Sequence, residues 1–322
     1  MIDRKGESVI LVLGAPRSGT TWLAKIFDSH PDVIYRHEPD TVLRSDRIPV
    51  ICTATRQAQL ADVREYLSRL LDLRDVKSAG SLPVFPKRYR SAPMDSLHTL
   101  LIYGSKFAGR IAWRNVLSIP DFLRDERSTV TRYVLKSVSS RGRIKPFSEA
   151  LPNSRIVFLV RHPCGQVAST VNGIASGKFE RTIPLAEVVL TDEARQLGMT
   201  ATDFERLDIF AQCAWHWAIL NQKALNDLPQ DGRAKVMRYE DLCTAPEREA
   251  KELFKFSGLG WNEQSERFVR RSTTADDTGG FYRIARNSLT AAQRWRTSLD
   301  GGVQRRILDI AGRVPVGRMF DA

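Results

Sequence analysis

The stretch LGAPRSGTTWL, which follows an apolar run near the start of the chain, has the spacing of a phosphate-binding loop. Gly14, Gly19 and Thr21 match the glycines and the hydroxyl residue of the P-loop pattern G-x-x-x-x-G-K-[ST]. Thr20 stands where that pattern has lysine, and the nearest basic residue is Arg17, inside the loop. Backbone N–H groups at the start of a helix carry partial positive charge and hold phosphate. The loop therefore predicts a phosphate site that contains an arginine in place of the lysine.

A second cationic position lies at the end of another predicted strand. In nucleotide triphosphatases the loop lysine spans the β- and γ-phosphates, and an acidic residue helps to hold magnesium. Here the apolar run Ile156–Val160 ends in Arg161, whereas Glu240 and Asp241 follow a shorter and less apolar strand. These features predict one phosphate at the loop, no metal ion, and a second anion site at Arg161. A nucleotide with two separate phosphate groups fits that pair of sites.

Apolar strands that alternate with helices must position these residues. Such alternation predicts a parallel sheet covered on both faces, and open sheets of this kind bind ligands at the carboxyl ends of their strands. The predicted fold class is therefore α/β, a P-loop-like three-layer α/β/α arrangement around a central parallel sheet. The predicted strands are Ser8–Leu13, Val33–Tyr35, Arg132–Leu135, Ile156–Val160 and Lys235–Arg238. The predicted helices are Gly19–Ser29, Ala58–Leu73, Ile144–Ala150, Phe204–Leu228, Val303–Gly312 and two segments that begin at Pro163 and Pro246.

The length of the chain allows one large domain, and we predict a single domain over residues 1–322. Two insertions, at about 40–130 and 178–205, are predicted to lie on the side where a second substrate enters. Within them, Lys77–Pro93 is predicted to be a loop and Lys178–Thr202 an irregular segment.

The composition is that of a globular protein, with 42% hydrophobic and 27% charged residues. The net charge of +12 favours polyanionic partners such as nucleotides or acidic glycans, although an arginine-rich solvated surface explains it equally well. No helix-turn-helix signature or basic stripe interleaved with aromatic residues is present, so nucleic acid is not a predicted partner. No apolar run reaches the ~18 residues of a membrane span. The four cysteines are scattered, which favours a reducing cytoplasm over a disulfide scaffold or a zinc site.

Four segments together resemble the sulfotransferase family, whose donor is 3′-phosphoadenosine-5′-phosphosulfate (PAPS). GAPRSGTTW is similar to the loop for the 5′-phosphosulfate, in the arginine form used by carbohydrate-type members. RIVFLVRHPCGQVAST resembles the 3′-phosphate motif, although His162 stands where Asp or Asn is common. YVLKSVSSRG resembles the lysine-bearing strand that precedes it, and RYEDL the late strand and turn. The segments occur in family order over Val9–Leu242, about three quarters of the chain.

The resemblance implies the residues that bind the donor. Arg17 is expected beside the bridging oxygen, where it stabilises the charge that develops on the departing phosphate. The family places Arg161 and Ser169 on the 3′-phosphate, and Lys136 either approaches the phosphosulfate or only neutralises the site. The C-terminal loop that covers the 3′-phosphate has no clean match, and Arg283, Arg286 and Asn287 are its nearest counterpart. The full set of expected donor contacts is Arg17, Ser18, Gly19, Thr20, Thr21, Trp22, Arg161, Ser169, Tyr239, Arg286 and Asn287.

A hydroxyl or amine acceptor must lose a proton as it attacks, and a positioned base contributes about 10²–10⁴-fold to such a step. Carbohydrate and tyrosyl members of the family use a glutamate near the segment YRHEPD. Glu38 is therefore the predicted base, with a raised or matched pKa, and His37 is the second candidate. Pro39 is expected to keep Glu38 extended, because the residue before proline is disfavoured in the helical region.

The predicted activity is transfer of a sulfuryl group from PAPS to an acceptor such as a glycan, a glycolipid or a small natural product. A P-loop kinase or nucleotide hydrolase is the first alternative, and the missing loop lysine argues against it. A non-catalytic anion-binding protein is the second, and the presence of both Arg17 and Glu38 argues against it. The identity of the acceptor and the oligomeric state do not follow from the sequence.

Overall fold

A five-stranded parallel sheet forms the centre of the computed structural model, which describes residues 9–53, 57–111, 118–123, 132–177, 188–274 and 288–320. The strand order is β2-β3-β1-β4-β5, so the first strand of the chain lies in the middle. The strands are β1 (Val9–Gly14), β2 (Val33–His37), β3 (Arg132–Ser137), β4 (Arg155–Val160) and β5 (Ala234–Arg238).

Helices cover both faces of the sheet, because each strand points its side chains to alternate sides. Leu11 and Leu13 of β1 belong to one hydrophobic cluster, and Ile10 and Val12 belong to the other. The helices are α1 (Thr20–Asp28), α2 (Leu60–Asp72), α3 (Val76–Ala79), α4 (Ala92–Ile111), α5 (Ile144–Ala150), α6 (Pro163–Ala175), α7 (Asp192–Gln196), α8 (Ala201–Glu205), α9 (Ile209–Asp227), α10 (Tyr239–Thr244), α11 (Pro246–Phe256), α12 (Glu263–Thr274), α13 (Ser288–Gln293), α14 (Trp295–Ser298) and α15 (Gly301–Ala311). Short 3₁₀ segments occupy Pro39–Thr41 and Pro315–Phe320. The predicted fold class is confirmed, whereas the assignment of the whole chain to one domain stays a prediction.

Parallel pairing brings the carboxyl ends of all five strands to one edge of the sheet. His37 of β2 is in register with Lys136 of β3, and Gly14 of β1 is in register with Leu159 of β4. Residues far apart in the sequence therefore meet at this edge, which is where the phosphate loop begins.

Two helical predictions differ from the structure. The single helix predicted over Phe204–Leu228 is interrupted: α8 ends at Glu205, and α9 begins at Ile209 with Asp208 as its N-terminal cap. Its carboxylate accepts a hydrogen bond from the N–H of Ala211 at 2.9 Å. The helices α7 and α8 also occupy part of Lys178–Thr202, which was predicted to be irregular; residues 178–187 lie outside the described residues.

The long helix α4 has no counterpart among the predicted helices. Its apolar residues do not follow one face, since Leu100 and Phe107 are 68% and 67% exposed while Ile102 is buried. A pattern without a clean apolar stripe gives a weak helix signal. None of the helices in the described part of the chain is both long and apolar enough to cross a membrane.

Candidate active site

The loop between β1 and α1 is a tight turn that leaves the first turn of the helix open. Ser18 closes the turn, since its N–H and its hydroxyl both donate to the carbonyl of Ala15, at 3.1 and 2.7 Å. Arg17 and Gly19 have φ values of 69° and 98°, in the left-handed region. The helix begins at Thr20 with no side-chain cap. Its first N–H groups, which no earlier turn can pair, are therefore directed at the space beyond the sheet edge.

Two glycines are required by close packing around this loop. A Cβ atom on Gly14 would lie 2.6 Å from the carbonyl oxygen of Leu159. A Cβ atom on Gly19 would lie 2.4 Å from the ring of Tyr239, and the positive φ of Gly19 also disfavours any other residue. Tyr239 thus forms the floor on which the loop rests.

Arg17 connects the phosphate loop to the second predicted anion site. Its Nε donates to the hydroxyl of Ser169 on α6 at 3.0 Å. The Nη1 of Arg161 donates to the carbonyl of Arg17, also at 3.0 Å. The structure therefore brings together the three residues that the sequence assigned to the two ends of one nucleotide.

The guanidinium of Arg161 is held by three neighbours. Its Nη2 donates to the carbonyl of Ala291 on α13 at 3.0 Å, and its Cζ lies 4.8 Å from the ring centre of Tyr239. The indole of Trp217 fixes the backbone by donating to the Arg161 carbonyl at 3.0 Å. The Nε of Arg161 is buried without a hydrogen bond to any described residue, beside Gly165 at the start of α6. That donor remains available to an anion.

A second cluster lies where β2 and β3 end. The Nζ of Lys136, which is 1% exposed, donates to the Oε1 of Glu38, and the N–H of Glu38 donates to the Lys136 carbonyl at 2.8 Å. Burial is the largest single effect and raises the pKa of Glu38, but the charge and hydrogen bond of Lys136, together with the electrostatic effects of His37 and Lys77, outweigh it, so the pKa lies below the ordinary 4.5. Burial lowers the pKa of Lys136, and Glu38 opposes part of that change. Glu38 is therefore ionised, and the expectation of a raised or matched pKa is wrong.

The backbone at Glu38 also differs from expectation. Its φ and ψ are 46° and 48°, so the residue is left-handed rather than extended despite the following Pro39. The proline favours an extended backbone at the preceding residue, but the 3₁₀ turn of Pro39–Thr41 requires a sharp change of direction here, and the turn outweighs that preference. Non-glycine residues with positive φ are uncommon and cluster at functional sites. Arg17 and Glu38, predicted to act in catalysis, both have this conformation.

His37 points to the same side of β2 as Tyr35, two residues earlier. Its Nδ1 shares a hydrogen bond of 2.7 Å with the Tyr35 hydroxyl. Burial lowers the pKa of His37 to about 3, with Lys136 as the second cause. The imidazole is therefore neutral and engaged with Tyr35, while Glu38 is engaged with Lys136.

Comparison with known proteins decides the family of the chain. A model of the sulfotransferase family matches residues 9–263, which is more than half of the sequence. The chain belongs to the sulfotransferase family, and it is a sulfotransferase enzyme. It is 27% identical to carbohydrate sulfotransferase 5 of Mus musculus, over 95% of this chain and 79% of that protein. It is 25% identical to carbohydrate sulfotransferase 6 of Homo sapiens, over 94% of this chain and 78% of that protein.

Two solved structures are also similar to this sulfotransferase. The sulfotransferase domain from the curacin biosynthetic pathway has 16% identity and a TM-score of 0.45, over 95% of this chain and 98% of that chain. Mouse sulfotransferase SULT7A1, complexed with PAP, has 12% identity and a TM-score of 0.45, over 98% of this chain and 88% of that chain.

The other residues predicted to contact the donor differ in their burial and in their neighbours. Thr20 is buried and Thr21 is half-buried at the start of α1. The indole of Trp22 donates to the hydroxyl of Ser272 at 2.9 Å, and its ring meets that of Tyr239 edge-on at 6.2 Å. The side chain of Trp22 therefore packs against Tyr239 and Ser272 on the inner side of the loop, and not on the outer side where the donor is expected. Arg283, Arg286 and Asn287 lie outside the described residues.

Asp40 is a site residue that the sequence reasoning did not single out. Its Oδ2 accepts hydrogen bonds from the hydroxyls of Ser137 and Ser140, the latter at 2.7 Å. It thus joins the turn that carries Glu38 to the loop that follows Lys136. The feature of the sequence that points to Asp40 is its place in the segment YRHEPD, two residues after Glu38.

Glu240 contacts the residue that precedes α6. Its Oε1 accepts a hydrogen bond at 3.1 Å from the N–H of His162, the residue that precedes α6. The His162 ring stacks on Trp295 with centres 4.2 Å apart. Within the part of the chain that the structure describes, no three His, Cys, Asp or Glu residues form a group suited to a metal ion.

Proposed function

We propose that this sulfotransferase transfers the sulfuryl group of PAPS to a hydroxyl or amine of its acceptor without a metal ion. The observation that carries the proposal is the contact of Arg17 with Ser169 and Arg161, which joins the phosphate loop to a second anion site. A nucleotide with separate 5′ and 3′ groups matches that arrangement, whereas the contiguous phosphates of ATP do not.

The residues present fit such a donor. The open N-terminus of α1 offers the N–H groups of Gly19, Thr20 and Thr21 to the 5′ group, with Arg17 beside them. The buried Nε of Arg161, which has no partner among the described residues, and the hydroxyl of Ser169 are suited to the 3′-phosphate. The donor supplies the activated sulfuryl group, and the protein supplies charge and position.

In the proposed transfer, Glu38 with Lys136 acts on the acceptor, and Arg17 acts on the departing phosphate. The acceptor oxygen or nitrogen forms a bond to sulfur while the bond from sulfur to the phosphate oxygen breaks. The proton of the acceptor passes to the carboxylate of Glu38, which Lys136 keeps ionised. The electron pair remains on the phosphate oxygen, where Arg17 stabilises the developing charge.

A glycan is the acceptor class that we favour. The two curated relatives are named as carbohydrate sulfotransferases, and together they cover most of this chain. The surplus of 49 basic over 37 acidic residues suits an acidic or strongly hydrated partner. A glycolipid or a small natural product contains the same reactive hydroxyl group.

The donor is tested by thermal unfolding. Adenosine 3′,5′-bisphosphate (PAP) should raise the melting temperature, because a ligand that binds only the native state stabilises by RT ln(1 + [L]/Kd). ATP should raise it far less, and EDTA should change neither the shift nor the turnover of labelled PAPS with a panel of glycan acceptors. An equal shift with ATP and magnesium would contradict the proposal and favour a nucleotide kinase or hydrolase.

We also infer a cytoplasmic location from the cysteines. All four are buried, and no disulfide joins any of them in the described part of the chain. Burial raises the pKa of the Cys164, Cys213 and Cys243 thiols to about 12, which keeps them protonated and unreactive. Fractionation of cells that express the full chain tests this location.

A further inference from the structure

Arg141 is a buried cation that has no partner in the described part of the chain. It is 5% exposed, its Nη1 has no hydrogen bond, and it forms no ion pair with a described residue. Burial alone lowers its pKa to about 10, and no carboxylate opposes the change. A buried charge without a partner is costly, so such a group calls for an explanation.

Other buried arginines of the chain show what an ordinary structural role involves. Arg36 pairs with Asp121 through two hydrogen bonds of 3.0 and 2.6 Å. Arg143, two residues after Arg141, donates to the carbonyls of Pro49 and Ile48 at 2.9 and 2.8 Å. These guanidinium groups join segments of the chain, whereas Arg141 joins none.

The loop that carries Arg141 is fixed next to the proposed base. Ser140 donates to Asp40, two residues after Glu38, at 2.7 Å. On the other side, the N–H of Cys52 donates to the carbonyl of Gly142 at 2.8 Å. Arg141 therefore lies between the turn of Glu38 and the segment around Cys52, which belongs to the insertion predicted on the acceptor side.

His216 of α9 lies close enough to Arg141 for the positive charge of the guanidinium to act on the imidazole. The positive charge of Arg141 adds to burial in lowering the pKa of His216 to about 3, so the imidazole is neutral. A guanidinium and a neutral imidazole together offer hydrogen bonds to an oxyanion, and neither supplies a countercharge.

We infer that Arg141 binds an anionic group of the acceptor, a carboxylate or a sulfate ester, and that the acceptor is therefore an acidic saccharide or a related acid. The inference rests on the proposed function. The planar guanidinium of Arg141 suits bidentate contact with either a carboxylate or a sulfate ester. The cost of burying Arg141 alone is then offset when both substrates are bound.

The first test compares two methionine variants of equal size. Arg141→Met should raise the melting temperature of the protein without ligand, because it removes an uncompensated buried charge. Arg143→Met, the matched control, should lower it, because the carbonyls of Ile48 and Pro49 lose their donor. If Arg141→Met lowers the melting temperature as much as the control does, Arg141 has a structural role and the inference fails.

The second test measures anion binding with PAP at saturation. Sodium glucuronate should raise the melting temperature of the wild-type protein more than glucose with sodium chloride at equal ionic strength, and Arg141→Met should lose this increment while its Kd for PAP is unchanged. Absence of the increment in the wild type, or its persistence in the variant, would overturn the inference. A loss of affinity for PAPS but not for PAP would assign Arg141 to the sulfuryl group of the donor and also overturn it. If PAP itself does not bind, the proposed function fails instead.

Discussion

Glu38 and Lys136 show how one contact sets the chemical state of a residue. Glu38 is ionised because the charge and hydrogen bond of Lys136, with smaller contributions from His37 and Lys77, together favour its negative charge more than burial disfavours it. A carboxylate that is ionised at neutral pH is already in the form that accepts a proton. His37, with a pKa lowered to about 3, is also unprotonated but is engaged with Tyr35.

We expect Glu38→Gln to keep the affinity for PAP and to lose most of kcat, because the amide cannot accept the proton. His37→Ala should cost less in rate, and it should lower stability through the lost contact with Tyr35. Single-turnover rates and PAP affinity measured on both variants test the assignment. Near-normal turnover of Glu38→Gln beside a folded but inactive His37→Ala enzyme would reverse it.

Arg17 and Arg161 should differ in kinetic effect although they touch each other. Arg17→Ala should lower kcat a few hundred-fold, about 3 kcal/mol, as for the loss of one preorganised charge-stabilising donor. Arg161→Ala should mainly raise the Kd for PAP, because the 3′-phosphate does not react. Measurements of kcat and of the Kd for PAP on each variant distinguish the two roles. The same change in kcat and Kd in both variants would contradict them.

At the scale of elements, the phosphate loop depends on what lies beneath it. The loop packs on Tyr239 at the start of α10, and Trp22 of α1 contacts α12 through Ser272. Arg161 reaches α13 through Ala291. The position of the loop is therefore set by helices that come late in the chain.

Gly19→Ala should lower the affinity for PAP by more than tenfold, because the new methyl group collides with the Tyr239 ring and the left-handed backbone disfavours it. Gly104→Ala is the matched control, since Gly104 lies within α4 and a Cβ there meets nothing within 4 Å. That variant should gain about 1 kcal/mol of helix stability. Calorimetric titration with PAP and thermal unfolding of both variants provide the check. Equal PAP affinity in Gly19→Ala and Gly104→Ala would show that the packing of the loop on Tyr239 does not position the loop.

At the scale of the whole molecule, all five histidines have pKa values below the ordinary 6.5. Burial is the largest cause for each, so the folded protein disfavours their protonation. The unfolded chain binds these protons as the pH falls below 6.5. Stability therefore declines with falling pH, until the folded histidines titrate near 3 to 4.

The free energy of unfolding should fall by up to about 1.4 kcal/mol per pH unit for each fully buried histidine in that window. The raised pKa values of Glu240 and Asp227 act in the opposite direction, whereas the lowered pKa values of Asp28, Glu38 and Asp121 add to the decline below about pH 4.5, where the unfolded carboxyl groups titrate. Urea unfolding at several pH values measures the slope. His216→Asn should reduce it, and a stability that is independent of pH between 6.5 and about 4 would contradict the expectation.

The sequence by itself determined the parallel sheet, the position of the predicted phosphate loop and the family. These features are local: buried strands are apolar throughout, and the loop is one short stretch with fixed glycine spacing. The helices with one apolar face, such as α2, were found for the same reason. The helix α4, with apolar residues on several sides, was not, and neither was the break at Asp208, where a side-chain cap interrupts a continuing pattern.

Only the tertiary structure decided which residues meet. Arg17 and Ser169 are 152 positions apart, and Glu38 and Lys136 are 98 apart, so their contacts depend on the strand order and register of the sheet. The charge of Glu38 follows from that pairing, because a neighbouring charge shifts a pKa only when folding brings it close. The absence of a partner for Arg141 within the described chain is likewise a tertiary property, since composition shows how many carboxylates exist but not where they lie.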